Sequence, residues 1–183
     1  GGWQYQAFSK NADLSVTVCQ LQALRAARNI GIQIPKSTID RAVKYVKESQ
    51  VPSGRAKGRY YYSIKGSRPY RKTNSFSIQA AAVTSLVSAG VYDRELIEPA
   101  LDFLTEELDP MIEDYSNHFF FWYGNYYASQ AFFHADRVLD NDCFQGYYGT
   151  MRDHLLSTQQ PDGRWLNPRG AGPGDPFGTS VAC

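Results

Sequence analysis

The sequence predicts an all-α domain made of helix pairs stacked in two layers. Stretches with little or no charge alternate with amphipathic ones along the whole chain. A helix without charge must bury most of its surface, and an amphipathic helix covers it from outside. The alternation repeats at a period of about 50–60 residues, the signature of stacked helix pairs. The turns repeat as well, with Gln, Pro, Gly and Arg at matching offsets in two of them.

Residues 13–29 are apolar nearly all round (Leu14, Val16, Val18, Leu21, Leu24, Ala27), with charge only late, at Arg25 and Arg28. Pro35 and Ser37 open a second helix, with Ser37 and Asp40 spaced as a capping box. It turns Ile39, Ala42, Val43 and Val46 one way and Arg41, Lys44, Lys47 and Glu48 the other. Residues 74–89 carry no charge. Residues 93–108 open on Asp93 and Glu95, acids that suit a helix N-terminus, and align Leu96, Ile97, Ala100, Leu101, Leu104 and Leu108. Residues 119–135 are again without acid or Lys/Arg and rich in rings, and 142–159 are amphipathic. Phe177 to Cys183 reads as the first turns of a fourth uncharged helix, and Gly1 to Tyr5 as the tail of an earlier repeat. The expectation is a single domain over 1–183, cut at both ends, with three inner/outer pairs and the start of a further inner helix. In a TPR-like or HEAT-like solenoid both helices of a pair are amphipathic, so the uncharged set favours concentric layers.

The 183 residues suffice for one substantial core. A net charge of +1 gives no general argument for a nucleic-acid or anionic-membrane partner. No run approaches the roughly 20 apolar residues of a membrane span. Thirteen Tyr and ten Phe imply an aromatic core, an aromatic-lined cavity, or both. Cys19, Cys143 and Cys183 form no CxxC pair, which favours a reducing compartment. Cys19 and Cys183 lie in apolar runs and read as small buried hydrophobes.

Leu155-Leu-Ser-Thr-Gln-Gln-Pro-Asp-Gly-Arg-Trp165, set among the alternating helices, resembles the QW motif of squalene and hopene cyclases. Gln159, Gly163 and Trp165 fall on its three positions. The copy at Gln50-Val-Pro-Ser-Gly-Arg55 has Ala56 where the Trp belongs, with Tyr60, Tyr61 and Tyr62 following. The resemblance to the squalene-cyclase/prenyltransferase repeat family implies an α/α toroid, here a partial α6/α6 barrel. Such a ring would be completed by the rest of a parent protein or by another chain. It also implies an apolar or isoprenoid ligand, and an Asp-x-Asp-Asp acid whose middle position is Asp13. Asn11 and Leu14 replace the outer two carboxylates, so much of the machinery that tunes a strong acid is missing. The competing reading of Asp13 is a helix cap.

The relatives that carry zinc direct attention to Cys19, Cys143, His118, His134, His154, Asp136 and Asp142, but no spacing there matches a four-ligand site, and no metal is expected. No cofactor motif of the GxGxxG, P-loop or GxSxG type occurs. The run Phe119-Phe-Phe-Trp-Tyr-Gly-Asn-Tyr-Tyr127 either lines a cavity or packs between layers. Trp122, Tyr123, Tyr126, Tyr127 and Phe76 are the cavity candidates. The loop 54–72 is basic and Tyr-rich, and Arg55, Arg59 and Arg68 are its anion-binding candidates against a plain solvated loop. The expected function is a repeat scaffold binding an apolar or extended ligand. An isoprenoid cyclase or prenyltransferase using Asp13, and a purely structural interaction module, are the alternatives.

Overall fold

A computed structural model describes residues 1–65, 73, 75–140, 142–168 and 174–183. Among these the chain is all-helical: α1 (Leu14–Asn29), α2 (Lys36–Glu48), α3 (Phe76–Ser88), α4 (Arg94–Glu113), α5 (Phe121–Leu139), α6 (Cys143–Thr158) and α7 (Asp175–Ala182). One 3-10 turn, Tyr115–Asn117, joins α4 to α5.

The helices pack in two rows. α3 contacts both α1 and α5, and α5 contacts α7. Behind them α2 touches α1 and α3, α4 touches α3 and α5, and α6 touches α5 and α4. The inner helices run parallel. Ser77 of α3 bonds the Phe120 carbonyl at the start of α5, and Thr84 bonds that of Tyr127. Small residues permit the close approach: a Cβ on Gly124 would meet Ser77 Oγ at 2.8 Å, and one on Gly178 would meet Trp122 Nε1 at 2.6 Å.

Burial follows charge in α3, where twelve of the thirteen residues are buried, including Gln79, Thr84 and Ser85. Each of these three polar side chains finds a backbone partner, as burial requires. α1 departs from expectation. Only Leu14, Thr17, Val18 and Leu21 are buried there, so its second face is open although it carries little charge. Cys19 and Cys183 are exposed rather than buried: Cys19 lies on this open face of α1, and Cys183 follows the last residue of α7.

One helix start and one helix end also differ from the sequence reading. α2 begins after Pro35 with no side-chain cap, and Asp40 instead pairs with Lys36 at 2.8 Å. α4 runs past Leu108 to Glu113, with Pro99 and Pro110 inside it. Pro99 deprives the Glu95 carbonyl of its helical donor, and Gln50 Nε2 supplies one from the neighbouring turn at 3.2 Å. α1 and α3 end alike. Gly31 and Gly90 take positive φ, and the 6→1 and 5→2 bonds of a Schellman turn close both ends (Ile32 to Ala27 and Gly31 to Arg28; Val91 to Leu86 and Gly90 to Val87).

Candidate functional site

The turn that leads from an outer helix to an inner one is built twice on the same plan. Gln159 Nε2 donates to the Gly163 carbonyl at 3.0 Å, and Gln50 Nε2 to that of Gly58 at 3.1 Å. Two residues beyond each Gly stands an anchoring ring, Trp165 or Tyr60. Trp165 Nε1 donates to Leu155 O at 2.9 Å, and Tyr60 Oη to Leu96 O at 2.6 Å. The ring's own backbone is then tied to the next inner helix. Trp165 N donates to Thr179 Oγ1 at 3.0 Å, and Tyr60 N to Gln79 Oε1 at 2.7 Å. Trp3 N makes the same bond to Thr17 Oγ1 at 3.1 Å.

The first turn therefore does not lack its aromatic. Four extra residues displace it from Ala56 to Tyr60, and Gly58 rather than Gly54 is the hinge, which ungapped matching of the two turns hides. Gln159, Gly163 and Trp165 thus act as inter-helix ties, and Gln50, Gly58, Tyr60 and Gln79 are ties that sequence reasoning missed. The signal was Gly58-Arg-Tyr60 beside Gly163-Arg-Trp165.

Asp13 caps α1. Its Oδ1 accepts from Val16 N at 2.9 Å and Ser15 Oγ at 2.7 Å, and its backbone N–H donates to Trp3 O. The cap is not in solvent: Asp13 is 1 % exposed, and Oδ2 is buried with no hydrogen-bond partner among the described residues. Tyrosines gather nearby. Tyr45 Oη donates to Ala12 O at 2.7 Å, and Tyr123 Oη to Ser15 O at 3.3 Å. Burial, with the Asp13 carboxylate adding to it, pushes the Tyr45 and Tyr62 phenols up to about 12 and raises Tyr123 further. These phenols are neutral donors at any ordinary pH.

From this end a ladder of contacts joins α1 to α5 across the face of α3. Tyr123 meets Ser15, Tyr127 Oη shares a hydrogen bond with Cys19 Sγ at 3.2 Å, and Gln22 donates to Gln130 at 2.5 Å. The rungs step by four and three residues on each helix, as two parallel helices of one period require. From just before α5 the rings form an unbroken chain that begins on this side and ends at Tyr126, which also borders the groove beside Trp122. Phe119 touches Phe120, Phe120 touches Tyr123, Tyr123 touches Tyr127, and Tyr127 touches Tyr126, with centroids 4.6 to 6.4 Å apart. Phe119, Phe120 and Tyr126 are each about half exposed, at 48 %, 54 % and 47 %.

The cavity candidates separate accordingly. Tyr123, Tyr126 and Tyr127 belong to this chain of rings. Phe76 is buried in the core. Trp122 points the other way: it is 2 % exposed, donates to Leu166 O at 3.3 Å, and lines a second groove of about 450 Å³ with Tyr126, Tyr147, Trp165 and Val181.

The basic loop divides in three. Arg59 lies over the Phe103 ring at 4.1 Å, a packing role through cation–π attraction. Arg55 is exposed. Arg68, Arg71 and Lys72 lie outside the described residues. Among the described residues no three His, Cys, Asp or Glu side chains converge on a metal position. His134 and His154 are held below the ordinary histidine value mainly by burial, and Cys143 lies 3.7 Å from Asp136 Oδ1, its thiol pushed up to about 11 by burial and that carboxylate.

No helix is long and apolar enough to cross a membrane among the described residues. Comparison with known proteins adds no relative: no family model, no curated protein and no solved structure matches the chain.

Proposed function

We propose that this chain is a binding module of the squalene-cyclase/prenyltransferase repeat kind, holding an apolar or extended ligand against the ring-lined inner face without cyclase chemistry. The observation that carries the reading is the chain of touching rings from Phe119 to Tyr126, with Phe119 and Phe120 half exposed at one end, Tyr126 half exposed at the other and Tyr127 buried between them. Rings left half in water mark a surface that gains by being covered. The parallel inner row backed by an outer row supports the concentric toroid arrangement for the repeat. The paired Gln–Gly–aromatic turns support the family.

The test is titration with farnesol and squalene, read by intrinsic fluorescence. Saturable quenching is expected. Phe120→Ala and Tyr126→Ala, at exposed positions that leave folding intact, weaken it severalfold. Quenching that ignores both substitutions sinks the reading.

One observation favours the enzyme alternative. Asp13 is buried beside phenols with Oδ2 unengaged, so that atom has no competing partner. Oδ1, by contrast, is committed to the cap. If Asp13 is a proton donor, incubation with squalene or prenyl diphosphates yields cyclised product, and Asp13→Asn abolishes it. The module reading expects no product from either protein.

A further inference from the structure

A pocket of about 710 Å³ lies at the other end of the inner row, between the two Schellman turns. It is independent of the aromatic chain. Part of its wall is apolar, with Gln33 and Ser88 interrupting it: Leu21 is buried, Leu24, Ile34 and Ile39 are half-buried, and Ile32 is 52 % exposed. The volume falls in the range of small-ligand sites.

Its rim is cationic. Arg25 and Arg28 are three residues apart on α1, hence neighbours on one face, and Lys36 stands across from them at the start of α2. Arg25 spends one N–H on the Val87 carbonyl, at a long 3.4 Å. Among the described residues neither arginine lies within ion-pair distance of a carboxylate. The nearby acid, Asp40, is engaged by Lys36 in an exposed pair of small worth. Apart from that one long bond the helix ends do not absorb the arginines, because the Schellman bonds already serve the carbonyls of Ala27, Arg28, Leu86 and Val87. Cationic character extends to α5, where Arg25 and Arg137 both act on His134. Two guanidinium groups over an apolar cleft present a match for an oxyanion joined to an aliphatic body.

We propose that this pocket binds a small anionic amphiphile, its phosphate or carboxylate head held by Arg25 and Arg28 and its aliphatic tail lying on Leu24, Ile32 and Ile39. Lys36 exchanges Asp40 for the ligand head.

Calorimetric titration with octyl phosphate, octanoate, octanol and inorganic phosphate tests this on the full chain. Octyl phosphate binds at one site per chain. Octanoate binding as well assigns the site to anionic heads at large, and failure of octanoate alone restricts it to phosphates; both keep the proposal. Octanol and inorganic phosphate each bind at least tenfold more weakly. Arg28→Gln and Arg25→Gln each weaken octyl phosphate about tenfold, Arg28→Lys less, and Ile32→Ser severalfold. All three positions are exposed, so folding survives, which an unchanged thermal midpoint checks. Phe120→Ala leaves this binding unchanged, so a failure here is distinct from a failure of the ring-lined face. Octanol binding as tightly as octyl phosphate, inorganic phosphate binding as tightly, indifference to both arginine substitutions, or no saturable heat would each overturn the proposal.

Discussion

The turn through Tyr60 and the turn through Trp165 share their wiring except for the ring's anchor, which is Leu96 O of the following outer helix α4 in the first and Leu155 O of the preceding outer helix α6 in the second. Each sends a Gln amide to a Gly carbonyl, anchors a ring on an outer-helix carbonyl, and ties the ring's backbone to the next inner helix. The first turn uses the larger set. Gln79 both accepts from Tyr60 N and donates to Tyr60 O, and it reaches Thr73 O as well. In the second, one hydroxyl takes the Trp165 N–H and lies 3.4 Å from the Trp165 carbonyl. Tyr60 is fully buried, whereas Trp165 keeps 8 % of its surface. A conserved arrangement of bonds thus tolerates changed residues and changed loop length, provided the donors and acceptors close. The deeper copy then bears more of the packing.

Removing the inner-helix partner separates the two most sharply. Gln79→Ala strips three hydrogen bonds and leaves a buried N–H and C=O of Tyr60 unsatisfied, at about 1–3 kcal/mol each. A loss of about 4 kcal/mol is expected in urea unfolding. Thr179→Val removes one part-buried partner, and about 1 kcal/mol is expected. Equal losses would show that the first turn is no more deeply built than the second.

The hinge glycines give a smaller contrast. Gly58 and Gly163 both have positive φ, 85° and 88°, where a side chain costs about 1–2 kcal/mol. A Cβ at Gly163 meets nothing within 4 Å, while one at Gly58 meets the Pro99 ring at 2.5 Å, and that ring cannot rotate away. Gly58→Ala is therefore expected to cost about 3 kcal/mol, strain and overpacking together. Gly163→Ala is expected to cost about 1 kcal/mol, partly offset by stiffening of the unfolded chain. Thermal midpoints of the two variants decide it, and a Gly163 variant as damaged as the Gly58 one would break the contrast.

Much of this architecture was legible, because an uncharged helix such as α3 has one physical explanation. The row order follows from the same alternation. α1 misled for a related reason. Cys19 and its neighbours are apolar, but hydropathy does not say whether another helix covers them. The Tyr60 tie was hidden by four extra residues, since spacing is legible only when loops have one length. Gln79 was hidden too, because a buried amide in an apolar helix looks like any polar interruption. Of the site, Asp13 was legible as a cap and as an acid candidate. Its burial was not, since that depends on how Tyr45 and Tyr62 close around it. The ring-rich run at 119–127 was legible as a composition, but the split between Tyr123 and Trp122 came only with the helix phase. The cationic pocket went unread because Arg25, Arg28 and Lys36 belong to two helices judged separately.

The outer helices feeding the two turns differ in one titrating side chain. Five residues before each Gln stands Tyr45 in α2 and His154 in α6, each 8 % exposed. Tyr45 is raised from 10.0 to about 12, chiefly by burial. The unfolded chain loses that proton first, so its contribution is complete below pH 10 and is lost as pH rises toward 12. His154 is shifted the other way. It packs edge-on against Tyr115 at 4.9 Å, its Nε2 has no partner, and burial lowers its pKa from 6.5. The unfolded chain then takes up the proton first. Stability is complete above pH 6.5 and falls as pH drops below it. Amide exchange is expected to show α6 and α7 losing protection as pH falls below 6.5 while α2 and α3 keep theirs. His154→Phe, which keeps a ring of similar size, flattens that acid loss without abolishing it, because His118 and His134 are also held low by burial. Loss of protection in both halves together, unchanged by His154→Phe, would show that the two turns unfold as one unit and that the histidine does not set their difference.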